Sequence, residues 1–209
     1  MQEPLITDEK IGRLRSTVRN FHEVTPFLYR GGQPGKEGYL ALAESGIKTV
    51  ISLRWGKKIV KAEKEAVQSL GMNFISMPLC YWKAPDISEC EQFLQIVDKK
   101  ANWPIFIHCF HGSDRTGLLI AMYRLTRQEW KVDDAYREMK DCGFHRFRIR
   151  HFKWRLYQFA RKLLKYESLL EHKAEDSSQS IPFELLPLNS EISELNVNLK
   201  ASKTTKDEL

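Results

Sequence analysis

The sequence predicts an α/β fold with a central, mostly parallel sheet of about four to five strands flanked by helices. Three observations lead to this prediction. Apolar, β-branched runs alternate with helical patterns along most of the chain. The apolar runs are short and nearly continuous, which is typical of strands buried on both faces. Each run gives way to a helical pattern, which is typical of parallel strands joined by crossover helices.

The first part of the pattern predicts three strands and two helices. The GGQPG run after the first strand predicts a turn, and each helix is expected to end at the glycine that closes its run. In order, the elements are a strand at 27–30 (FLYR), a helix at 36–46 (KEGYLALAESG), a strand at 47–54 (IKTVISLR), a helix at 58–71 (KIVKAEKEAVQSLG) and a strand at 72–79 (MNFISMPL).

The second part predicts one buried strand and four helices. Asp86 followed three residues later by Glu89 predicts a capping box at the first of these helices. The last helix carries apolar residues at the spacing of one buried face. In order, the elements are a helix at 86–101, a strand at 104–108 (PIFIH), helices at 115–130 and 132–143, and a long helix at about 148–166.

Composition and charge divide the chain into three parts: an N-terminal extension at 1–20, a folded domain at 21–170 and a flexible polar tail at 171–209. The chain has 209 residues, with 42% hydrophobic and 29% charged residues, as in ordinary globular proteins. The net charge is +6, and the tail carries an excess of acids. The folded domain is therefore basic and is expected to favour anionic partners.

The sequence also suggests a location. No run approaches the roughly 18 apolar residues of a membrane-spanning helix, and the polar N-terminus lacks the apolar segment of a secretory signal. The four cysteines follow no zinc or disulfide pattern. A cytoplasmic location is expected. The terminal KDEL would mean the endoplasmic reticulum only for a chain that enters the lumen.

The segment HCFHGSDRTG (108–117) carries the chemistry. Cys109 falls where a strand ends and a helix begins, so free backbone N–H groups are expected to surround its sulfur and favour the thiolate. Gly112 and Ser113 leave room for the backbone to close around an anion. Arg115 supplies a fork that holds two oxygens of a phosphoryl group. Thr116 is expected to hydrogen-bond the sulfur.

This segment, read as HC-x-x-G-x-x-R-T-G, resembles the signature of the cysteine-dependent protein tyrosine and dual-specificity phosphatases. The runs FHEVTPFLYRGGQP, GIKTVISLR, GMNFISMPL and GLLIAMYR also resemble the compact atypical dual-specificity type, which includes bacterial tyrosine phosphatases. The resemblance covers roughly residues 20–160. It implies phosphomonoester hydrolysis through a cysteinyl phosphate, with no metal or cofactor, and makes 21–170 the catalytic domain. It assigns the nucleophile to Cys109 and phosphate binding to Cys109, Phe110, His111, Gly112, Ser113, Asp114 and Arg115. His108 is expected to shape the loop.

Other interpretations of the segment stay open. A tight loop does not easily turn four ligands onto one ion, which argues against a metal site. Rhodanese-like and arsenate-reducing proteins also use a cysteine loop, but the Arg-Thr-Gly ending argues against them. A pseudophosphatase that only binds phosphorylated ligands is a non-enzymatic alternative. For the metal-site alternative, the four ligands would be His108, Cys109, His111 and Asp114.

Two carboxylates compete as the acid that protonates the leaving oxygen. Asp86 is the only carboxylate in the segment CYWKAPDIS, where the family usually supplies the acid, but its spacing to Glu89 equally predicts a helix cap. Asp114 lies beside the arginine, as in some lipid phosphatases that resemble this loop. Asp86 is slightly preferred.

Phosphotyrosine on proteins is the first substrate expected from the resemblance, with dual specificity as an extension. The basic and aromatic run at 145–155 suggests an inositol phosphate or phosphoinositide instead, and a shared loop pattern suggests an RNA 5′-triphosphatase. Tyr81 and Trp82 are expected either to stack on a substrate ring or to pack in the core. Redox control would need a second thiol, from Cys80, Cys90 or Cys142.

Overall fold

A computed structural model describes residues 6–83, 85–145 and 149–175, with side chains up to residue 165. These residues form five strands, seven α-helices and one short 3-10 helix at Lys100–Asn102. The strands are β1 (His22–Thr25), β2 (Leu28–Gly32), β3 (Thr49–Ser52), β4 (Asn73–Ser76) and β5 (Ile105–Cys109). The helices are α1 (Asp8–Thr17), α2 (Lys36–Glu44), α3 (Lys57–Ser69), α4 (Ile87–Asp98), α5 (Asp114–Arg127), α6 (Val132–Asp141) and α7 (Arg150–Glu175).

The five strands form one sheet in the order β1-β2-β5-β3-β4. Strand β1 is antiparallel to β2, and every other neighbouring pair is parallel. The predicted α/β fold with a mostly parallel sheet is therefore confirmed, and β1 is a strand that the sequence did not predict. Strand β5 occupies the centre, so the segment that follows it leaves the middle of the sheet at its carboxyl edge.

The apolar side chains of the central strands are buried on both faces. Every residue of β2, β3 and β5 is buried. Tyr29, Val50 and Phe106 are neighbours in register and belong to one core cluster with residues of α1, α2 and α3. Because successive strand side chains point to opposite faces, Ile105 and Ile107 pack on the other side of β5. This explains the continuous apolar runs in the sequence.

Element boundaries differ from the predictions by a few residues, with one difference that matters for function. The glycines at 31 and 32, predicted as part of a turn, belong to β2 and pair with His108 and Cys109 of β5. The turn prediction was wrong there because GG also suits a strand onto which another backbone packs closely. The strand that ends at Cys109 is thus paired with β2 up to its last residue.

The ends of the chain differ from the sequence interpretation in detail. Residues 8–17, placed in an extension, form α1, and Ile11 and Leu14 of this helix join the core. The chain divides into two units, Met1–Phe159 and Ala160–Leu209. Helix α7 continues to Glu175, and the rest of the predicted tail lies outside the described residues. No helix in the described part is long and apolar enough to cross a membrane.

Candidate active site

The loop that carries the phosphatase-like signature begins at the end of the central strand. Cys109 is the last residue of β5 and is 2% exposed, and α5 begins five residues later at Asp114. The neighbouring strands β2 and β3 end at the same edge of the sheet. The structure therefore places Cys109 at the position where α/β sheets bind ligands.

The backbone of this loop offers a set of free donors. Apart from hydrogen bonds within helices and strands, no backbone N–H of residues 110–116 donates to a backbone carbonyl in the described part of the chain. The first to be used is that of Gly117, which donates to the Ser113 carbonyl over 2.8 Å. Free N–H groups at the positive end of a helix are a ready anion site.

Close backbone packing holds the loop against the end of β2. Gly112 has φ of +75°, and a Cβ on it would lie 2.3 to 2.5 Å from backbone atoms of Gly31 and Gly32. The N–H of Gln33 donates to the Phe110 carbonyl over 3.2 Å. Position 112 therefore requires glycine, and the GG of β2 and the glycine of the signature pack as one structural unit.

Arg30 lies in the interior beneath this unit. Its side chain is 1% exposed, and Nη2 donates to the Gly112 carbonyl over 2.8 Å. Its Nε and Nη1 atoms are buried without a hydrogen-bond partner among the described residues. Burial lowers the pKa of Arg30, while the nearby Glu138 carboxylate works in the opposite direction. A buried positive charge thus supports the loop.

Arg115 is anchored across the ends of two strands by one nitrogen. Its Nη1 donates to the carbonyls of Leu53, over 3.0 Å, and Leu79, over 3.3 Å. Its Nε is buried and has no hydrogen-bond partner in the described residues. The guanidinium is therefore fixed in place while part of its fork stays available to phosphoryl oxygens.

Two hydroxyls of the loop are buried and unpaired. The Oγ atom of Ser113 and the Oγ1 atom of Thr116 have no hydrogen-bond partner within the described residues. The expected bond between Thr116 and the Cys109 sulfur does not form in this state. Because an unpaired buried hydroxyl is costly, both are groups that a bound oxyanion would satisfy.

His108 is fully buried and points away from a metal-binding arrangement. Its Nε2 lies 2.5 Å from the Glu63 carboxylate and its Nδ1 lies 3.3 Å from the Cys109 carbonyl. Asp114, a second residue of the alternative metal set, binds His145. These contacts commit the two side chains to different protein partners, and no group of three or more metal ligands occurs in the described residues.

Asp114 ties the loop to the segment between α6 and α7. Its side chain is 3% exposed and accepts hydrogen bonds from the His145 backbone N–H, at 2.9 Å, and from the ring Nδ1, at 3.0 Å. The His145 ring lies 5.8 Å from that of His111. Asp114 is therefore engaged in holding the wall of the site.

Asp86 caps α4. Its carboxylate accepts from the Glu89 N–H over 3.0 Å, and the Glu89 carboxylate accepts from the Asp86 N–H over 2.8 Å, which completes the predicted capping box. Hydrogen bonds from Glu89 and from the Ser88 hydroxyl lower the pKa of Asp86. Asp86 is exposed, in the segment that follows β4.

Aromatic side chains surround the loop near the surface. The Tyr81 ring lies 6.0 Å from the Arg115 guanidinium and contacts Trp82, which is 78% exposed. Phe110 is half exposed and lies beneath the guanidinium of Arg54 at 4.7 Å. Neither Tyr81 nor Trp82 belongs to the buried core, so both lie at the rim of the site.

The other three cysteines differ in exposure. Cys80 is exposed, whereas Cys90 and Cys142 are buried. Burial raises the pKa of Cys90 to about 12 and also raises that of Cys142. The two buried thiols are therefore poor nucleophiles, and all four cysteines are free.

Three residues of the basic run at 145–155 make structural contacts. His145 binds Asp114, His151 Nε2 lies 3.2 Å from the Tyr81 carbonyl, and Phe152 is fully buried. Residues 146–148 lie outside the described part of the chain. The run therefore positions the loop and the segment after β4.

Three residues of the site were missed in the sequence. Arg54 directly follows β3, which is parallel to β5. A predicted strand order that placed β3 beside β5 would therefore have placed Arg54 near Cys109. Arg30 and Glu63 gave no signal, because one looked like a strand-end charge and the other like a solvated helix charge. Their roles depend on contacts between distant segments.

The fold and the loop match those of the dual-specificity class of cysteine-dependent phosphatases. The chain belongs to the family described as "DSP-PTPase phosphatase fused to NAD+ Kinase", whose model matches residues 15–154.

Individual relatives agree with this assignment. The chain is 29% identical over 125 residues to the dual specificity protein phosphatase TpbA of Pseudomonas aeruginosa, covering 60% of this chain and 55% of that protein, so it spans about half of the relative's length. It is 26% identical over 144 residues to the inositol diphosphatase DSP3 of Arabidopsis thaliana, covering 66% and 69% of the two chains. The catalytic core of the PP-IP phosphatase SIW14 from S. cerevisiae shares the fold, with a TM-score of 0.57, 24% identity and coverage of 70% and 93%.

Proposed function

We propose that this protein hydrolyses phosphomonoesters through a cysteinyl-phosphate intermediate, with protein phosphotyrosine as the first substrate class and dual specificity as an extension. One observation carries the proposal. The Cys109 sulfur lies in a loop whose N–H groups are free and whose arginine is anchored by a single nitrogen. This is an arrangement for binding and stabilising a phosphoryl group.

In the first step the Cys109 thiolate attacks phosphorus and the bond from phosphorus to the leaving oxygen breaks. Loop N–H groups and Arg115 stabilise the charge on the three remaining oxygens. The leaving oxygen takes a proton from Asp86. The hydrogen bonds that cap α4 lower the pKa of Asp86, but this residue is exposed in the segment whose Tyr81 ring lies 6.0 Å from Arg115. We prefer it because the Asp114 carboxylate is 3% exposed and held by His145.

In the second step water attacks the cysteinyl phosphate and gives a proton to the Asp86 carboxylate, which restores the acid. The sulfur–phosphorus bond breaks, inorganic phosphate is released, and the thiolate is restored. The unpaired Thr116 hydroxyl supports the departing sulfur, and Ser113 donates to the phosphoryl oxygens. No metal or cofactor takes part in either step of the proposed mechanism.

A second candidate substrate, an inositol phosphate, is favoured by Arg54. Its Nε is buried without a partner among the described residues, and its guanidinium contacts the Phe110 ring. Burial and then the positive charge of Arg115 lower the pKa of Arg54. A second phosphate beside the one at Cys109 would relieve this repulsion, and one relative is named an inositol diphosphatase.

The test is phosphate release from a phosphotyrosyl peptide, an inositol phosphate and phosphoinositide panel, and triphosphate-ended RNA. Wild type and Cys109→Ser are compared on each. The proposal requires turnover that Cys109→Ser abolishes and a phosphoenzyme trapped on that cysteine. Binding without turnover on every substrate would instead establish a pseudophosphatase.

Arg54→Met separates the two substrate classes. If inositol phosphates are the substrate, this variant raises KM for them by about tenfold and leaves the phosphotyrosyl peptide within about twofold, since one charge-assisted contact contributes about 1.5 kcal/mol. If the substitution changed KM by a similar factor for both substrates, Arg54 would no longer support the second candidate.

A further inference from the structure

Four consecutive carbonyl groups of the loop after Cys109 are held from outside the loop. In a trans peptide the C=O and the following N–H point in opposite directions, so a carbonyl held from outside turns the next N–H toward the inside of the loop. The direction of the free N–H groups therefore depends on the donors that hold the carbonyls. In order, the carbonyls of Phe110, His111, Gly112 and Ser113 accept from Gln33 N–H, Asn20 Nδ2, Arg30 Nη2 and Gly117 N–H.

The side chain of Asn20 joins three segments that are distant in sequence. Its Nδ2 donates to the carbonyl of Cys142, which follows α6, over 3.0 Å, and to the His111 carbonyl over 3.4 Å. Its Oδ1 lies 2.9 Å from the Nε2 atom of His22 in β1. An amide nitrogen carries two hydrogens, one for each carbonyl, and carbonyls only accept hydrogen bonds. The partners of the side chain therefore define which way the amide faces.

The backbone at Asn20 is fixed in a conformation that suits asparagine. Asn20 has φ of +52°, in the left-handed region that asparagine enters more readily than most residues. The carbonyl of the preceding residue, Arg19, accepts from the Gly32 N–H over 2.7 Å. This bond fastens the turn between α1 and β1 to the end of β2, where the loop also packs. The amide of Asn20 is thus presented to the loop from an anchored turn.

We propose that Asn20 is a positioning residue of the candidate active site: its amide holds the His111 carbonyl outward and so aims the Gly112 N–H at a bound oxyanion. The inference rests on the proposed function in that the loop is taken to bind a phosphoryl group. Asn20 touches no substrate and acts through the peptide that joins His111 to Gly112.

The hydrogen bond from Asn20 to His111 should strengthen when an anion binds. An N–H that donates to an oxyanion polarises its peptide, which makes the carbonyl of the same peptide a better acceptor. The distance from Asn20 Nδ2 to the His111 oxygen is 3.4 Å without a ligand, longer than the common N–H···O distance. With an oxyanion on the Gly112 N–H, this distance should fall to about 3.0 Å.

The test is the dissociation constant of the full chain for tungstate, a stable oxyanion with the shape of phosphate, measured by calorimetry. Asn20→Gly removes the amide and suits a positive φ. Its Kd should rise about five- to tenfold, the effect of losing one hydrogen bond that prepares the site. The matched control is Glu129→Gly, because Glu129 is exposed, has φ of +56° and follows the end of α5 opposite the loop. The control should keep Kd within about twofold of the wild type.

Two results would overturn the proposal. One is a Kd in Asn20→Gly within about twofold of the wild type, in a protein with a native circular dichroism spectrum, since a merely structural role lowers Tm and leaves the affinity of the folded protein unchanged. The other is an equal rise in Kd in Glu129→Gly, which would assign the effect to glycine at a turn.

A crystal structure of the wild type with tungstate decides the question if Asn20→Gly does not fold. A distance of about 3.2 Å or less from Asn20 Nδ2 to the His111 oxygen supports the proposal, and a longer one contradicts it. Tungstate binding needs no turnover. A protein that binds tungstate as expected but hydrolyses no phosphomonoester would therefore refute the proposed function alone.

Discussion

The guanidinium of Arg30 donates a hydrogen bond from Nη2 to the carbonyl oxygen of Gly112, 82 residues further along the chain. A buried arginine that binds a backbone carbonyl and has no carboxylate within hydrogen-bond distance in the described residues costs free energy. Its contribution is therefore to the shape and charge of the loop.

Arg30→Met should separate activity from stability. Activity should fall by about tenfold or more, since Gly112 loses a charge-assisted hydrogen bond and Cys109 loses a nearby cation. The free energy of unfolding should stay within about 1 kcal/mol of the wild type, because removing a buried charge offsets the lost bond. The measurements are kcat/KM on p-nitrophenyl phosphate and urea unfolding. Arg30→Lys, which keeps the charge, should retain more activity, and full activity in Arg30→Met would contradict the prediction.

Gly112→Ala should abolish activity. Its Cβ would lie within 2.5 Å of the Gly31 carbonyl oxygen and the Gly32 nitrogen, at a φ of +75° that L residues rarely adopt. The matched control is Gly71→Ala, which has φ of +79° and open space around it. The control should cost about 1 to 2 kcal/mol from backbone strain alone and keep activity. Equal effects of the two changes on kcat would show that the approach to β2 does not shape the loop.

Replacing each aspartate by asparagine identifies the acid. Asp86→Asn should reduce kcat about 10²-fold on a substrate with a poor leaving group and far less on p-nitrophenyl phosphate. Its stability should hardly change, since asparagine also caps helices. Asp114→Asn should lower Tm, because the neutral side chain replaces the carboxylate that holds His145. Equal, mild losses in both variants on both substrates would mean that neither residue is the acid.

Glu63 should make the stability of the fold depend on pH in the acidic range. Burial raises its pKa, but its contacts with His108, Ser52 and Tyr39 outweigh this and leave the pKa below its ordinary value. The unfolded state therefore binds a proton more readily than the folded state. The resulting stabilisation is present at neutral pH and is lost as the pH falls from the ordinary glutamate range, near 4.5, through the lower folded value. Tm measured from pH 7 to pH 3 should decline less steeply in Glu63→Gln, and parallel slopes would contradict this linkage.

Sequence patterns within short segments predicted those parts of the molecule whose structure depends on residues close together in the chain. The apolar run ending at Cys109 predicted β5, the loop and α5, because strand end, glycine and arginine lie within one short segment. The spacing of Asp86 and Glu89 predicted a cap that the structure confirms.

Other parts depend on residues distant in sequence. Helix α1 escaped prediction because its two buried residues, Ile11 and Leu14, are surrounded by charges, and only packing against α2 and the core reveals their role. Glu63 looks like any other acid on a lysine-rich helix until α3 is placed against β3 and β5. Buried polar contacts of this kind are set by topology, which a single sequence does not display.

The pairing of β2 with β5 has a consequence for the newly made protein. Before Gly31 and Gly32 lie beside Cys109, the loop backbone has nothing to pack against. The N–H groups then do not surround the sulfur, even in a chain that already contains the whole signature. The reactivity that we propose for this thiol therefore depends on the docking of these two distant strands. Labelling of this single cysteine would therefore report how much of a population has completed folding.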